Sequence, residues 1–216
     1  AHQEDATLST LKSLADAYKR QGRTEDQIAV WRNAYEQAGI NEKRQIIKQL
    51  STALLEQGDV KAALDAQLDL IKKDQDPVQK RRLFESQLTL ATRTQQLPWL
   101  KKRYTELVSQ EPFARFYPEA LWLVHQASGD MEAAYQALKR AYYMAGDNHK
   151  ELLYQLGELA DRSKDLQAAI YYLRQLIASD ECGPDMESWK LLVEMLEKDL
   201  RVAEAEVDLA ALPEAG

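Results

Sequence analysis

Residues capable of acid–base, nucleophilic or metal chemistry are few in this 216-residue chain and stand apart from one another. The chain has three histidines, His2, His125 and His149. None has a second histidine four residues on, the spacing that lets two imidazoles on one helix face bind a metal. The only cysteine, Cys182, follows two acidic residues, whereas a reactive thiolate needs electropositive surroundings. Because calcium-loop, phosphate-loop and dinucleotide-loop spacings are also missing, we predict no catalytic residue, no metal site and no cofactor.

Two basic runs are the segments that best match phosphate binding, Lys80-Arg81-Arg82 and Lys101-Lys102-Arg103. Acidic residues flank them, and the chain carries 35 Asp and Glu against 28 Lys and Arg, a formal net charge of −7. A net acidic surface repels a phosphate backbone, so we predict solvated surface charges and no nucleic-acid partner. No apolar run reaches the roughly 18 residues that a membrane-spanning helix needs, which predicts no membrane span.

The elements that would position any functional side chain are helices. Apolar residues recur at intervals of three, four and seven, as in Leu11, Leu14, Ala15 and Tyr18, which is the spacing of one helix face. Strand-like alternation is missing, and residues with high helix propensity dominate. The sequence therefore predicts an all-α fold.

A short turn recurs between the predicted helices. It is Gly22-Arg23, Gly58-Asp59, Gly129-Asp130 and the variant Lys164-Asp165, with weaker copies at Gln95 and Leu200. Successive turns in this set of six are 34 to 37 residues apart. Glycine suits a left-handed helix end, and the Asp that follows can cap the next helix. Four residues past the Asp stands a small residue that allows close helix approach: Ala63, Ala134 or Ala169. The period predicts a series of stacked helix pairs.

The turn, the small residues and the period resemble the tetratricopeptide repeat (TPR) family, whose helix-turn-helix units take about 34 residues. The match covers about residues 8–212 and is strong in repeats one, two, four and five. The resemblance implies a right-handed superhelical solenoid of antiparallel helix pairs, and we expect one domain over 1–216 from a bacterial source. We expect six repeats, near 8–43, 44–80, 81–114, 115–149, 150–185 and 186–212.

The resemblance also implies a concave groove lined by the first helix of each repeat. Its candidate residues are Lys12, Lys48, Arg82, Arg93, Phe116, Leu123, Tyr154, Glu158 and Glu194. Residues 1–108 hold 18 basic against 15 acidic residues, and residues 109–216 hold 10 against 20. We predict a bound peptide whose acidic part lies near repeats one to three and whose basic part lies near repeats five and six, with apolar anchors between them. The alternative is that the gradient is surface composition alone.

These features predict a non-catalytic protein–protein interaction scaffold with a protein or peptide partner. The alternative is a structural TPR segment of a larger bacterial envelope or secretion assembly, whose partners are further repeats of the same or a larger chain. The start without Met and the alternately apolar and acidic stretch 202–212 favour an array that continues or docks at its ends. An enzyme or a nucleic-acid binder is the third possibility. Cytoplasm and periplasm both fit a lone cysteine.

Overall fold

In the computed structural model the chain is a series of helices, described over residues 2–145, 150–178 and 186–210. The helices are α1 (His2–Arg20), α2 (Thr24–Gln37), α3 (Ile40–Glu56), α4 (Val60–Lys73), α5 (Pro77–Arg93), α6 (Leu97–Gln110), α7 (Phe116–Ala127), α8 (Met131–Ala145), α9 (Lys150–Arg162), α10 (Leu166–Ala178) and α11 (Met186–Ala210). Over these residues no strand occurs, so the predicted all-α class is confirmed. We call α1, α3, α5, α7, α9 and α11 the first helices and the others the second helices.

Five turns between helices share one backbone geometry. A left-handed residue follows each first helix from α1 to α9: Gly22 (φ 71°), Gly58 (87°), Gln95 (57°), Gly129 (77°) and Lys164 (65°). The backbone N–H of the next residue donates to the carbonyl five residues back, as from Arg23 to Tyr18 at 3.0 Å and from Asp165 to Ala160 at 2.8 Å. This bond satisfies a carbonyl that the helix end leaves unpaired. Five of the six predicted turns are therefore confirmed, two of them without glycine.

The sixth turn, predicted at Leu200, is wrong. Helix α11 runs unbroken from Met186 to Ala210 and passes through Leu200 without a left-handed residue. The stretch 196–206 contains neither glycine nor proline and consists largely of strong helix formers. Over the described residues, the sixth repeat is consequently one long helix and not a pair.

The N-terminal unit comprises Ala1–Pro98. Within it α1 packs on α2 and α3 on α4, and each second helix packs on the first helix that follows. The short turns reverse the chain, so each pair is antiparallel. Buried apolar side chains fill the core, among them Trp31, Ile47 and Leu54, and Ala63 is fully buried at a close helix approach. The Asp59 carboxylate caps α4 by accepting from the Ala62 N–H at 3.0 Å, as the sequence predicted for an Asp after the turn.

The C-terminal unit comprises Trp99–Gly216. Here α7 pairs with α8 and α9 with α10, while α8 packs on α9 and α10 on α11. Small residues lie where helices meet: Ala134, Ala160 and Ala169 are fully buried. The TPR-like arrangement of helix pairs is thus present in both units. The single domain, the right-handed course and the number of repeats stay predictions.

Candidate protein-binding site

The four basic candidate residues all lie exposed on first helices of the N-terminal unit. Lys12 is on α1, Lys48 on α3, and Arg82 and Arg93 are on α5. Lys12 and Lys48 each precede a turn glycine by ten residues, so they occupy equivalent positions in successive repeats. The helical spacing turns their side chains outward, because the buried residues of α3, such as Ile47 and Leu50, fill the opposite face.

These four cations make no ion pair or side-chain hydrogen bond with any residue in the described part of the chain. Their neighbours do: Lys19 pairs with Glu56, and Arg44 pairs with Asp74 at 2.7 Å. The hydroxyls of this surface donate to their own helix, as Thr52 does to the Lys48 carbonyl at 2.8 Å. The N–H donors of these ammonium and guanidinium groups are therefore available to a ligand. Carboxylates are the acceptors that form the strongest hydrogen bonds with such donors.

The other five candidates lie in the C-terminal unit. Phe116 and Leu123 on α7 and Tyr154 and Glu158 on α9 are half-buried, whereas Glu194 on α11 is exposed. Leu123 and Glu158 each precede a turn residue by six positions, so they are equivalent in successive repeats. That the three apolar residues form one patch beside these carboxylates stays a prediction.

A lysine partly neutralises the acidic end of that surface. The Lys198 Nζ lies 2.9 Å from the Asp161 carboxylate of α9 and 3.2 Å from the Glu194 carboxylate on its own helix. Among the predicted acidic site residues, Glu158 is the one without an ion pair in the described part of the structure. Glu158 is therefore the stronger candidate to receive a basic ligand group. That all nine residues form one groove stays a prediction.

His125 lies in a buried environment that indicates a structural role. His125 is buried at the end of α7, and its Nδ1 lies 3.4 Å from the Asp130 carboxylate, which caps α8 and pairs with Lys101 at 2.9 Å. Burial, and then the Lys101 charge, lower the pKa of His125, so the imidazole is neutral at pH 7. His149 and Cys182 lie outside the described residues. Within the described part, no His, Cys, Asp and Glu cluster of three or more could hold a metal ion, and no helix is long and apolar enough to cross a bilayer.

Exposed tyrosines are the feature that the sequence did not predict. Many aromatic residues lie in the core, among them Trp31 and Tyr104. However, 67% of Tyr143 and 55% of Tyr171 is exposed. Both belong to second helices, which the family resemblance does not connect with ligands. The available signal was the tyrosine doublet, Tyr142-Tyr143 and Tyr171-Tyr172, because adjacent residues of a helix point in different directions and a doublet at the edge of the apolar face exposes one ring.

Comparison with known proteins finds solved structures only. No family model and no curated protein matches. The structure of BtubC from P. vanneervenii is 14% identical, with a TM-score of 0.49 over 93% of this chain and 95% of that one. YrrB, described as a TPR protein with an unusual peptide-binding site, is 13% identical, with a TM-score of 0.44 over 86% and 89%. MamA from Desulfovibrio magneticus is 14% identical, with a TM-score of 0.43 over 79% and 92%. A likeness this distant says nothing about a ligand.

Proposed function

We propose that the chain is a non-catalytic scaffold that binds a peptide or protein segment on the exposed faces of its first helices. The observation that carries this proposal is the set of four exposed cations on α1, α3 and α5 that have no ion pair within the described residues. Two of them, Lys12 and Lys48, hold equivalent positions in successive repeats. Unpaired surface charge of one sign attracts and orients a partner of the opposite sign. The N-terminal unit then receives the acidic part of the ligand.

The C-terminal unit supplies different chemistry to the same kind of ligand. The half-buried Phe116, Leu123 and Tyr154 offer apolar surface without the cost of burying a charge, which suits the anchor residues of a peptide. The Glu158 carboxylate is available to a basic residue beyond those anchors. Under this proposal, the N-terminal unit takes an acidic stretch of a partner, and the C-terminal unit takes apolar residues with a basic residue beside them.

Charge reversal in the N-terminal unit tests the proposal. The wild-type protein, immobilised, is used to capture partners from a lysate of its source, and the captured proteins are identified and one is purified. The variant K48E/R82E should bind that partner at least about tenfold more weakly. The control is K61E, which reverses an exposed charge on the second helix α4 that has no ion pair in the described part of the chain. Equal affinities of wild type and K48E/R82E would refute the first-helix face as the binding site.

A second candidate function, a structural segment within a larger assembly, is favoured by exposed apolar surface. A cavity of about 450 Å³ between α1, α2 and α3 is lined by residues that include Leu11 and Val30, beside a 46% exposed Leu14. On α11, 48% of Val193 and 64% of Leu200 is exposed. Apolar surface of this kind marks contacts between protein chains.

Light scattering over a range of protein concentrations separates this candidate from the first. Association of copies through these surfaces predicts a molar mass that rises with concentration and returns to the monomer value in L14E and in L200E. The control V78E changes a residue that is 57% exposed on α5 and should leave association unchanged. If the protein is a monomer at every concentration and still captures its partner, self-assembly is excluded and the peptide-binding scaffold is the remaining candidate function.

A further inference from the structure

The exposed tyrosines of the C-terminal unit belong to a continuous aromatic cluster. Tyr143 on α8 contacts Tyr142, with ring centroids 5.7 Å apart, and Tyr171 on α10 contacts Tyr172 at 5.5 Å. The two doublets meet between the helices, where the rings of Tyr142 and Tyr172 are 6.2 Å apart in an edge-to-face arrangement. The inner ring of each doublet is thus packed, and the outer ring faces solvent.

A glutamine fixes two of these rings in place. The Gln175 Nε2 donates to the Tyr171 hydroxyl at 2.7 Å, and the Tyr142 hydroxyl donates to the Gln175 Oε1 at 3.3 Å. Rings that are already ordered lose little conformational entropy when a ligand covers them. Tyrosine also combines a large apolar ring with a polar tip, which makes it frequent at the centre of protein interfaces.

The charge around these rings is opposite in sign to that of the first helices in the same unit. Helices α8 and α10 contain three basic residues, Lys139, Arg140 and Arg174, and one acidic residue, Glu132. The Glu132 carboxylate accepts a hydrogen bond from Gln136 at 2.9 Å. In contrast, α9 and α11 hold ten acidic residues against five basic ones. The local excess of positive charge therefore belongs to the second helices.

The basic and aromatic residues share one side of each helix. On α8, Arg140 and Tyr143 are three residues apart, and on α10, Tyr171 and Arg174 have the same spacing, which places each pair on one face. All four side chains are exposed. Arg174 makes no ion pair within the described residues, and the Arg140 guanidinium reaches only the Val108 and Pro112 carbonyls, at 3.4 and 3.5 Å. We call Arg140, Tyr143, Tyr171 and Arg174 the tyrosine face.

We propose that the tyrosine face is a second docking surface, and that its occupant is an acidic segment of a partner protein. Carboxylates of the segment pair with the Arg140 and Arg174 guanidinium groups, whose planar donors match a carboxylate in two-point contacts. Apolar side chains between those carboxylates lie against the rings of Tyr143 and Tyr171. The surface is on the second helices, so it does not depend on the function proposed for the first helices.

Selection from a displayed library of short random peptides tests this inference. Capture is carried out in parallel on the wild type, on Y171A/R174E, on R174E alone and on R32E. R32E reverses an exposed arginine on the second helix α2 that pairs with no described residue, and it controls for a change of charge alone. Circular dichroism verifies that each variant keeps its helix content. Peptides that bind the first-helix faces are captured by all four proteins. Peptides that bind the tyrosine face are recognised because the Arg174 variants do not capture them.

The expected result is a class of peptides, rich in Asp and Glu, that wild type and R32E retain and both Arg174 variants lose. One such peptide, synthesised, should bind R174E at least about tenfold more weakly than wild type, and replacing its Glu with Gln should weaken it similarly. It should also shift the aromatic NMR signals of Tyr143 and Tyr171. The inference is overturned if no peptide class depends on Arg174, if that class is neutral or basic, or if vesicles of anionic phospholipid, and not peptides, bind through these residues.

Discussion

Asp74 is a buried carboxylate that holds the loop between α4 and α5 to α3. Its side chain is fully buried, and it accepts hydrogen bonds from Arg44 Nε and Nη2, each at 2.7 Å, and from the Asp76 N–H at 2.9 Å. The hydrogen bonds from Arg44 hold the pKa of Asp74 below its usual value. The ionised carboxylate is therefore stabilised in the folded state relative to the unfolded chain.

The lowered pKa predicts a loss of stability in acid. Because the folded pKa lies below the unfolded value of about 4, the contribution is complete above that pH and disappears as the pH falls through the folded pKa. D74N should lose about 2–3 kcal/mol of unfolding free energy at pH 7 and less at low pH. Urea unfolding of both proteins from neutral pH downward measures this. D26N, which breaks an exposed pair with Arg23, is the control. A wild-type advantage that stays constant down to low pH would contradict the assignment.

Gly157 is a second single residue whose substitution has a defined cost. A Cβ at this position would lie 2.8 Å from the Leu173 Cγ, where α9 meets α10. G157A should therefore cost about 1–3 kcal/mol, because Leu173 must move within a packed core. G39A is the matched control, since the nearest atom to its new Cβ would be 4.0 Å away. Thermal unfolding that shifts equally in the two variants would show that the α9–α10 contact accommodates the methyl group.

At the scale of elements, the sequence predicted the turns by their glycines and capping acids, and two turns lack that glycine. Gln95 and Lys164 adopt the left-handed conformation that costs a residue with a Cβ about 1–2 kcal/mol. The repeat period, and not the residue type at the left-handed position, predicted the turns at Gln95 and Lys164. The same period failed at Leu200, because no local residue stops α11 and the preference for a helix prevailed.

Replacing Lys164 with glycine should stabilise the protein. K164G relieves the left-handed strain, and the greater freedom of glycine in the unfolded chain offsets part of that gain, leaving about 0.5–1 kcal/mol. K164A keeps a Cβ at the same position and should give no gain, so it serves as the control. The urea midpoints of the three proteins measure the effect. If K164A stabilises as much as K164G, the gain comes from losing the lysine charge and not from the backbone.

Ala134 tests the close crossing of α7 and α8 that the repeat pattern predicted. The residue is fully buried, so A134E forces a carboxylate into a place without a partner and should cost about 3 kcal/mol or more. A29E, on the exposed side of α2, should leave the melting temperature within a few degrees of wild type. A melting curve of A134E that matches that of A29E would show that the helices do not meet closely at this alanine.

At the scale of the whole molecule, the charge gradient has a kinetic consequence. Under the proposed function, we expect the excess of basic residues in 1–108 and of acidic residues in 109–216 to orient a charged partner before contact. For a partner retained through Lys48 and Arg82, raising the salt from about 50 to about 300 mM should slow association more than it speeds dissociation. Surface plasmon resonance measures both rates. An effect confined to dissociation would indicate that these cations act only after contact.

The sequence predicted the fold class and the exposed cations because both depend on spacing along one helix. It did not predict which charges find partners, since Lys198 reaches Asp161 across 37 residues of chain. Nor did it predict the tyrosine face, which depends on how α8 and α10 lie beside each other. Such pairing decides which charged side chains stay available at the candidate sites, and periodicity carries no information on pairing.

The five equivalent turns make the repeat an exchangeable module. The turn before each second helix from α2 to α10 has the same left-handed residue and the same backbone hydrogen bond, whether that residue is glycine, glutamine or lysine. If residues 23–58 were duplicated in tandem, the turn at each end of the added copy would have a backbone conformation that the protein already uses. Arrays of this kind can lengthen or shorten by whole modules during evolution without inventing a new loop.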